Sequence, residues 1–176
     1  MHKEFFKQMD HICSELIKGE LWHVAAANEF RKIALRGFAR WNESEAIGDL
    51  KSRMCIEKLL RDRLSYTPII SIENPSVLWT SYKDLPEILH KWVAREKDFA
   101  EYITSAIGMA RDIDIAIYKE LISLADEVQN EAMRIKLCGM RLELANFDGH
   151  DIGRVNVIIH DYYDQSPECQ KADFNI

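Results

Sequence analysis

Glycine and proline are scarce in this sequence, seven and four among 176 residues. They are also clustered, which leaves long windows where a helix can run unbroken. The four cysteines, Cys13, Cys55, Cys138 and Cys169, lie far apart and form no CxxC pair, which excludes a paired-thiol redox motif. Three of them fall inside helical patterns and read as small buried hydrophobes. No apolar run is long enough to cross a bilayer. The N-terminal stretch MHKEFFKQMDHICSEL mixes charged and apolar residues and has no continuous apolar region. No basic tail or Lys/Arg run offsets a net charge of −6, which argues against a phosphate-backbone partner. The expectation is a soluble cytoplasmic protein with no nucleic-acid and no membrane partner.

What is present is an ordinary globular composition, 47% apolar and 30% charged. The length suits one domain that can bury a core without disulfide staples. The apolar spacing predicts a first helix from about His2 to Arg31, with Met9, Cys13, Leu16, Val24, Ala27 and Phe30 on its stripe. A break near Ile33–Gly37 precedes a second helix, Phe38 to Leu64. Ser65 to Lys83 has no helical period and holds Pro68, Pro75 and the run Ile69-Ile70-Ser71-Ile72. Asp84, Pro86 and Glu87 then read as a capping box opening a third helix that continues to Ala110. A turn at Arg111–Asp114 leads to a fourth, Ile115 to Leu144. A short fifth, Asp151 to Asp164 and capped by Asp151, carries Ile152, Val155, Ile159 and Tyr162 on one stripe. The bundle is expected to span residues 1–165 and a polar tail 166–176.

Loop lengths set the topology. Two short turns imply two antiparallel helical hairpins. The connection of 19 residues from Ser65 to Lys83 extends to roughly 60 Å at about 3.3 Å each. Helices of about 27 residues are roughly 40 Å long, so the connection can run the whole bundle. An all-α four-helix bundle with one long crossover between helices 2 and 3, plus a short fifth helix, follows.

Two glutamates interrupt apolar seams. Glu96 lies among Leu89, Trp92, Phe99 and Ile103, and Glu20 lies between Leu16 and Val24. A carboxylate buried alone is costly, so both need partners. Facing carboxylates can hold a metal ion, or each can pair with a buried arginine or amide.

From about residue 8 to 146 the chain resembles a bacterial non-haem ferritin. Glu20 in KGELWHV, the segment LRGFARW, the crossover TPIISIENPSVLW and Glu96 in REKDF carry the likeness. The resemblance implies a ferritin-like bundle with iron as cofactor and a homo-oligomer, either a dimer or a ferritin-type cage. It places metal ligands at Glu20, Glu96 and Asp49, with Gln129 on the fourth helix. The family's second-helix histidine falls on Ser52, a poor ligand, and its first-helix tyrosine on Ala27. His23, in the Glu20–His23 pair, is a candidate replacement imidazole or a plain helix-face histidine; Glu87–His90 has the same spacing at the wrong depth. An inward Arg53, one turn beyond Asp49, would neutralise the carboxylates and exclude a metal. The implied function is an iron-binding or iron-storage subunit with weak or absent ferroxidase activity. The alternative is a structural or partner-binding protein with a metal-free, salt-bridged core.

Overall fold

The computed structural model describes residues 2–72 and 81–164. Its helices are α1 (His2–Lys32), α2 (Arg36–Leu64), α3 (Leu85–Ala110), α4 (Ile115–Leu144) and α5 (Gly149–Asp164), and a 3-10 turn, Tyr82–Asp84, precedes α3. Among the described residues there is no strand. Pro75, Cys169 and the tail from 165 onward lie outside the described residues.

α1 ends where Ala34 takes a left-handed conformation (φ 63°), letting the Leu35 amide donate back to the Phe30 carbonyl at 2.8 Å. α2 and α4 end the same way, at Ser65 and Asn146, with Tyr66 and Phe147 bonding back to Leu60 and Leu142. This is a Schellman-type stop, which satisfies the last carbonyls of a helix. α4 starts at Asp114, whose carboxylate accepts from the amides of Ala116 and Ile117 at 2.8 and 3.1 Å. That is an N-cap in extended backbone.

Two expected caps form differently. Asp84 is already helical in backbone because the chain arrives through the 3-10 turn, so its side chain makes no cap bond to α3 and accepts from the Ser81 amide instead. Glu87 pairs with Lys91 at 2.6 Å on the exposed face. α5 starts two residues earlier than expected, with Asp148 accepting from the His150 amide at 2.8 Å. Asp151 is inside its first turn.

α1 packs against α2 and α3 against α4, and α1–α3 and α2–α4 contacts close the bundle. Residues 65–72 of the crossover run back along α1. Tyr66 Oη and the Ile69 amide both donate to Asp10 Oδ1, at 2.6 and 2.8 Å. The Ser71 amide donates to Ser14 Oγ at 3.0 Å.

The apolar interior falls into two blocks. One surrounds Phe5, Met9, Leu16, Leu60, Ile103 and Ile117. The other surrounds Phe30, Phe38, Trp41, Trp92, Ile135 and Leu142. A polar layer separates them, and it holds the candidate site.

α5 docks on its own bundle, chiefly on α2. Its buried stripe is Ile152, Val155 and Tyr163, while Tyr162 points out at 64% exposure. Asn156 Oδ1 accepts from the amides of Gly37 and Phe38, at 2.8 and 3.3 Å. A side chain of α5 thus caps α2 across the fold. Gly37 is required there: a Cβ would sit 1.9 Å from the Asn156 carbonyl oxygen. Trp22, Tyr102 and Tyr118 are half-buried; Trp22 packs on Trp92 and Tyr102 on His11.

Candidate metal centre

On α1 the buried face runs Leu16, Gly19, His23, Ala26, Phe30, while Glu20 is half-buried and Val24 exposed. The spacing explains the change. Seven residues bring a helix back within about 20° of its starting face, whereas eight overshoot by about 80°. The seam read through Glu20 and Val24 therefore rotates outward, and Gly19 and His23 replace them.

His23 is the best-defined group in the layer. Asn42 Nδ2 donates to the Phe38 carbonyl at 2.9 Å, so Asn42 Oδ1 is the atom facing His23 Nδ1, also at 2.9 Å. Nδ1 must then carry the hydrogen, leaving the Nε2 lone pair free to accept. Nε2 faces Arg95 Nη1 at 3.5 Å and Asp49 Oδ2 at 3.8 Å. Burial, with the Arg95 charge second, lowers the His23 pKa to about 3. The ring is neutral.

Arg95 is the cation beside His23. Its Nη1 donates to Glu96 Oε1 at 2.5 Å. Its Nη2 and Asp49 Oδ2 each lie 2.2 Å from where a Cβ on Gly19 would be. The guanidinium therefore sits among Glu96, Asp49 and His23, in space that only a glycine on α1 leaves. Burial pushes both carboxyls up, Asp49 well above its ordinary range, and Arg95 works against that rise in each. Asp49 Oδ2 is buried with no hydrogen bond.

Beside this group lies a second one. Glu45 on α2 and Glu131 on α4 lie side by side in the wall of a cavity of about 990 Å³ that also touches His23, Asp49, Glu96 and Tyr163. Arg134 Nη2 lies 2.5 Å from Glu131 Oε2 and 3.4 Å from Glu45 Oε1. Burial raises Glu45 to about 7, opposed by Arg134. It raises Glu131 well above the usual range, with Glu45 adding to the effect. Two close carboxyls without full compensation hold on to a proton.

The expected ligands divide accordingly. Asp49, Glu96 and His23 are brought together. Glu20 is held by Arg53, at 3.8 Å, which itself pairs with Glu57 at 2.9 Å; the guanidinium lying on Asp49 and Glu96 is Arg95. Gln129 is exposed in a groove between α3 and α4 with Lys97, Glu101 and Lys136. Ser52 lines the cavity wall and bonds Glu127. His90 faces Glu143 at 3.5 Å on the surface. Glu45, Glu131, Arg95 and Arg134 were not foreseen. Glu131 was detectable, because it shares a face with Val128 and Ile135. Arg95 was not: it adjoins Glu96 in sequence, and neighbours on a helix point 100° apart.

The donor set does not fit a paired-iron centre. The second-helix imidazole is absent, Glu20 and Gln129 are elsewhere, and a guanidinium holds the middle. Among the described residues no group of three or more His, Cys, Asp or Glu is arranged to hold a metal ion.

No family model matches the sequence, and no curated protein matches it either. Solved structures do. An engineered closed form of the Archaeoglobus fulgidus ferritin aligns with a TM-score of 0.79 at 17% identity, over 91% of this chain and 96% of that one. An open-pore ferritin from the same archaeon gives 0.79 at 18% identity, over 89% and 94%. A humanized archaeal ferritin gives 0.78 at 17% identity, over 94% and 99%. Identity is low, while the shared architecture runs almost end to end in both directions. The chain has the ferritin fold.

Proposed function

We propose that the protein is a ferritin-type iron-handling subunit of a homo-oligomer that has no ferroxidase centre of its own. One observation carries the loss of oxidation: the Arg95 guanidinium, lying on Glu96 and beside Asp49 and His23. A fixed positive charge at that point repels the cation that oxidation would need. Iron handling is supported by the fold likeness to the archaeal ferritins. Fe(II) added in air should yield ferric-oxo absorbance no faster than in protein-free buffer, with iron co-eluting with the protein on gel filtration. Oxidation well above the buffer rate would remove this reading.

The ion pairs favour a second reading, a metal-free structural or partner-binding bundle. Arg53–Glu20, Arg95–Glu96 and Arg134–Glu131 together hold the polar layer with the chain's own charges. Iron that fails to co-elute selects it.

A further inference from the structure

We infer that the groove between α4 and α5 binds a small apolar carboxylate of the fatty-acid class, with Arg141 as its anchor. Its occupancy does not depend on iron handling.

The groove has a volume of about 380 Å³, within the range of small-ligand sites. Its walls are Leu137 and Cys138 of α4, Val155, Ile158 and Ile159 of α5, and Trp41 of α2. Burial pushes the Cys138 thiol up to about 12 and raises the Tyr163 phenol as well, so both stay neutral. No Asp or Glu is among the described residues that line the groove, although the chain carries a net charge of −6. The charged groups there are Arg134 and Arg141, seven residues and about 10 Å apart along one face of α4. They are not equivalent. Arg134 is engaged by Glu131 and Glu45, and Tyr163 lies near it. Arg141 is exposed, and among the described residues no carboxylate pairs with it. Its charge reaches the groove, where it opposes the rise of the Cys138 thiol. An apolar wall without carboxylates, ending in an unpaired guanidinium, matches a ligand with an apolar body and one anionic end. The carboxylate would meet Arg141 as a forked pair. The body would run toward Trp41 and Tyr163, whose rings stack at 5.8 Å near the Arg134 end.

Decanoate, decanol and decyltrimethylammonium are titrated into wild type, Arg141→Met, Arg141→Lys and Cys138→Phe. Binding is followed by calorimetry, folding by circular dichroism and mass by sedimentation. Wild type should bind decanoate at least about tenfold more tightly than decyltrimethylammonium. Arg141→Met should weaken decanoate by about tenfold or more and leave decanol unchanged, while Arg141→Lys recovers part of the loss. Cys138→Phe, which fills the groove, should weaken decanoate and decanol together. The inference is overturned if wild type binds decanoate and the cationic amphiphile alike, a measurement that needs no variant to fold. It is overturned equally if folded Arg141→Met or folded Cys138→Phe binds decanoate as well as wild type. Failure of wild type to bind decanoate while sedimenting well above the mass of one chain also overturns it, and leaves a second copy as the occupant of the groove.

Discussion

His23 and Glu45, which line the same cavity, push the pH-dependence of stability in opposite directions. His23 titrates near 6.5 when free and near 3 when folded. The unfolded chain therefore takes up a proton that the native state refuses, and stability present above pH 6.5 drains away as pH falls toward 3. Glu45 moves from 4.5 to about 7. The native state keeps a proton that the unfolded chain releases, so its contribution is largest below pH 4.5 and is lost as pH rises to 7. Glu45→Gln should therefore gain on wild type by something on the order of 1–2 kcal/mol between pH 5 and pH 7. Urea midpoints at the two pH values would show it, and a gain independent of pH would count against it. His23→Gln should flatten the acid limb of the same curve. The carboxylate at 96 was visible in the sequence because one charged residue interrupted an apolar stripe. The arginine beside it was invisible because long side chains reach around a helix, and residue spacing records only where the stem begins.

At the scale of elements, most helix limits follow from apolar spacing and turn chemistry, and α4 was expected at its observed bounds. The discrepancies have local causes. The α1–α2 turn places Ala34 in the left-handed region, where a side chain is strained and glycine is not. Ala34→Gly should stabilise the protein by about 0.5–1 kcal/mol, read as a higher melting temperature; a lower one would mean the turn relaxes in some other way. The cap on α2 could not be read locally, since its acceptor, Asn156, is 119 residues from Gly37. Asn156→Ala should cost about 1 kcal/mol as an ordinary cap loss. Gly37→Ala should cost more, roughly 2 kcal/mol or above, because the obstructing atoms are backbone and cannot rotate away. It should also weaken the near-UV signal from Trp41 and Tyr163, which stack at 5.8 Å.

For the whole molecule, the bundle topology was readable from connection lengths alone, because two tight turns and one long strap admit few arrangements. The surface was less readable. Met133, Leu137, Met140 and Leu144 form an exposed apolar line along α4, with Val157, Ile158 and Tyr162 exposed on α5. Covering that face against a second copy is what the proposed homo-oligomer would do. Sedimentation should give a mass well above one chain, and Leu137→Glu with Leu144→Glu should lower it without loss of helicity. A monomeric wild type would contradict both. Among the described residues no helix is long and apolar enough to cross a membrane.

The bond from Asn156 to the start of α2 has a consequence for how copies come together. The link between α4 and α5 is only residues 145–148, with Asn146 and Phe147 both left-handed. Both of these residues carry side chains, so the corner is strained, and a short strained hinge is the kind that straightens and passes a helix to another copy. The bond from Asn156 to Gly37 and Phe38 is what holds α5 on its own bundle against that exchange.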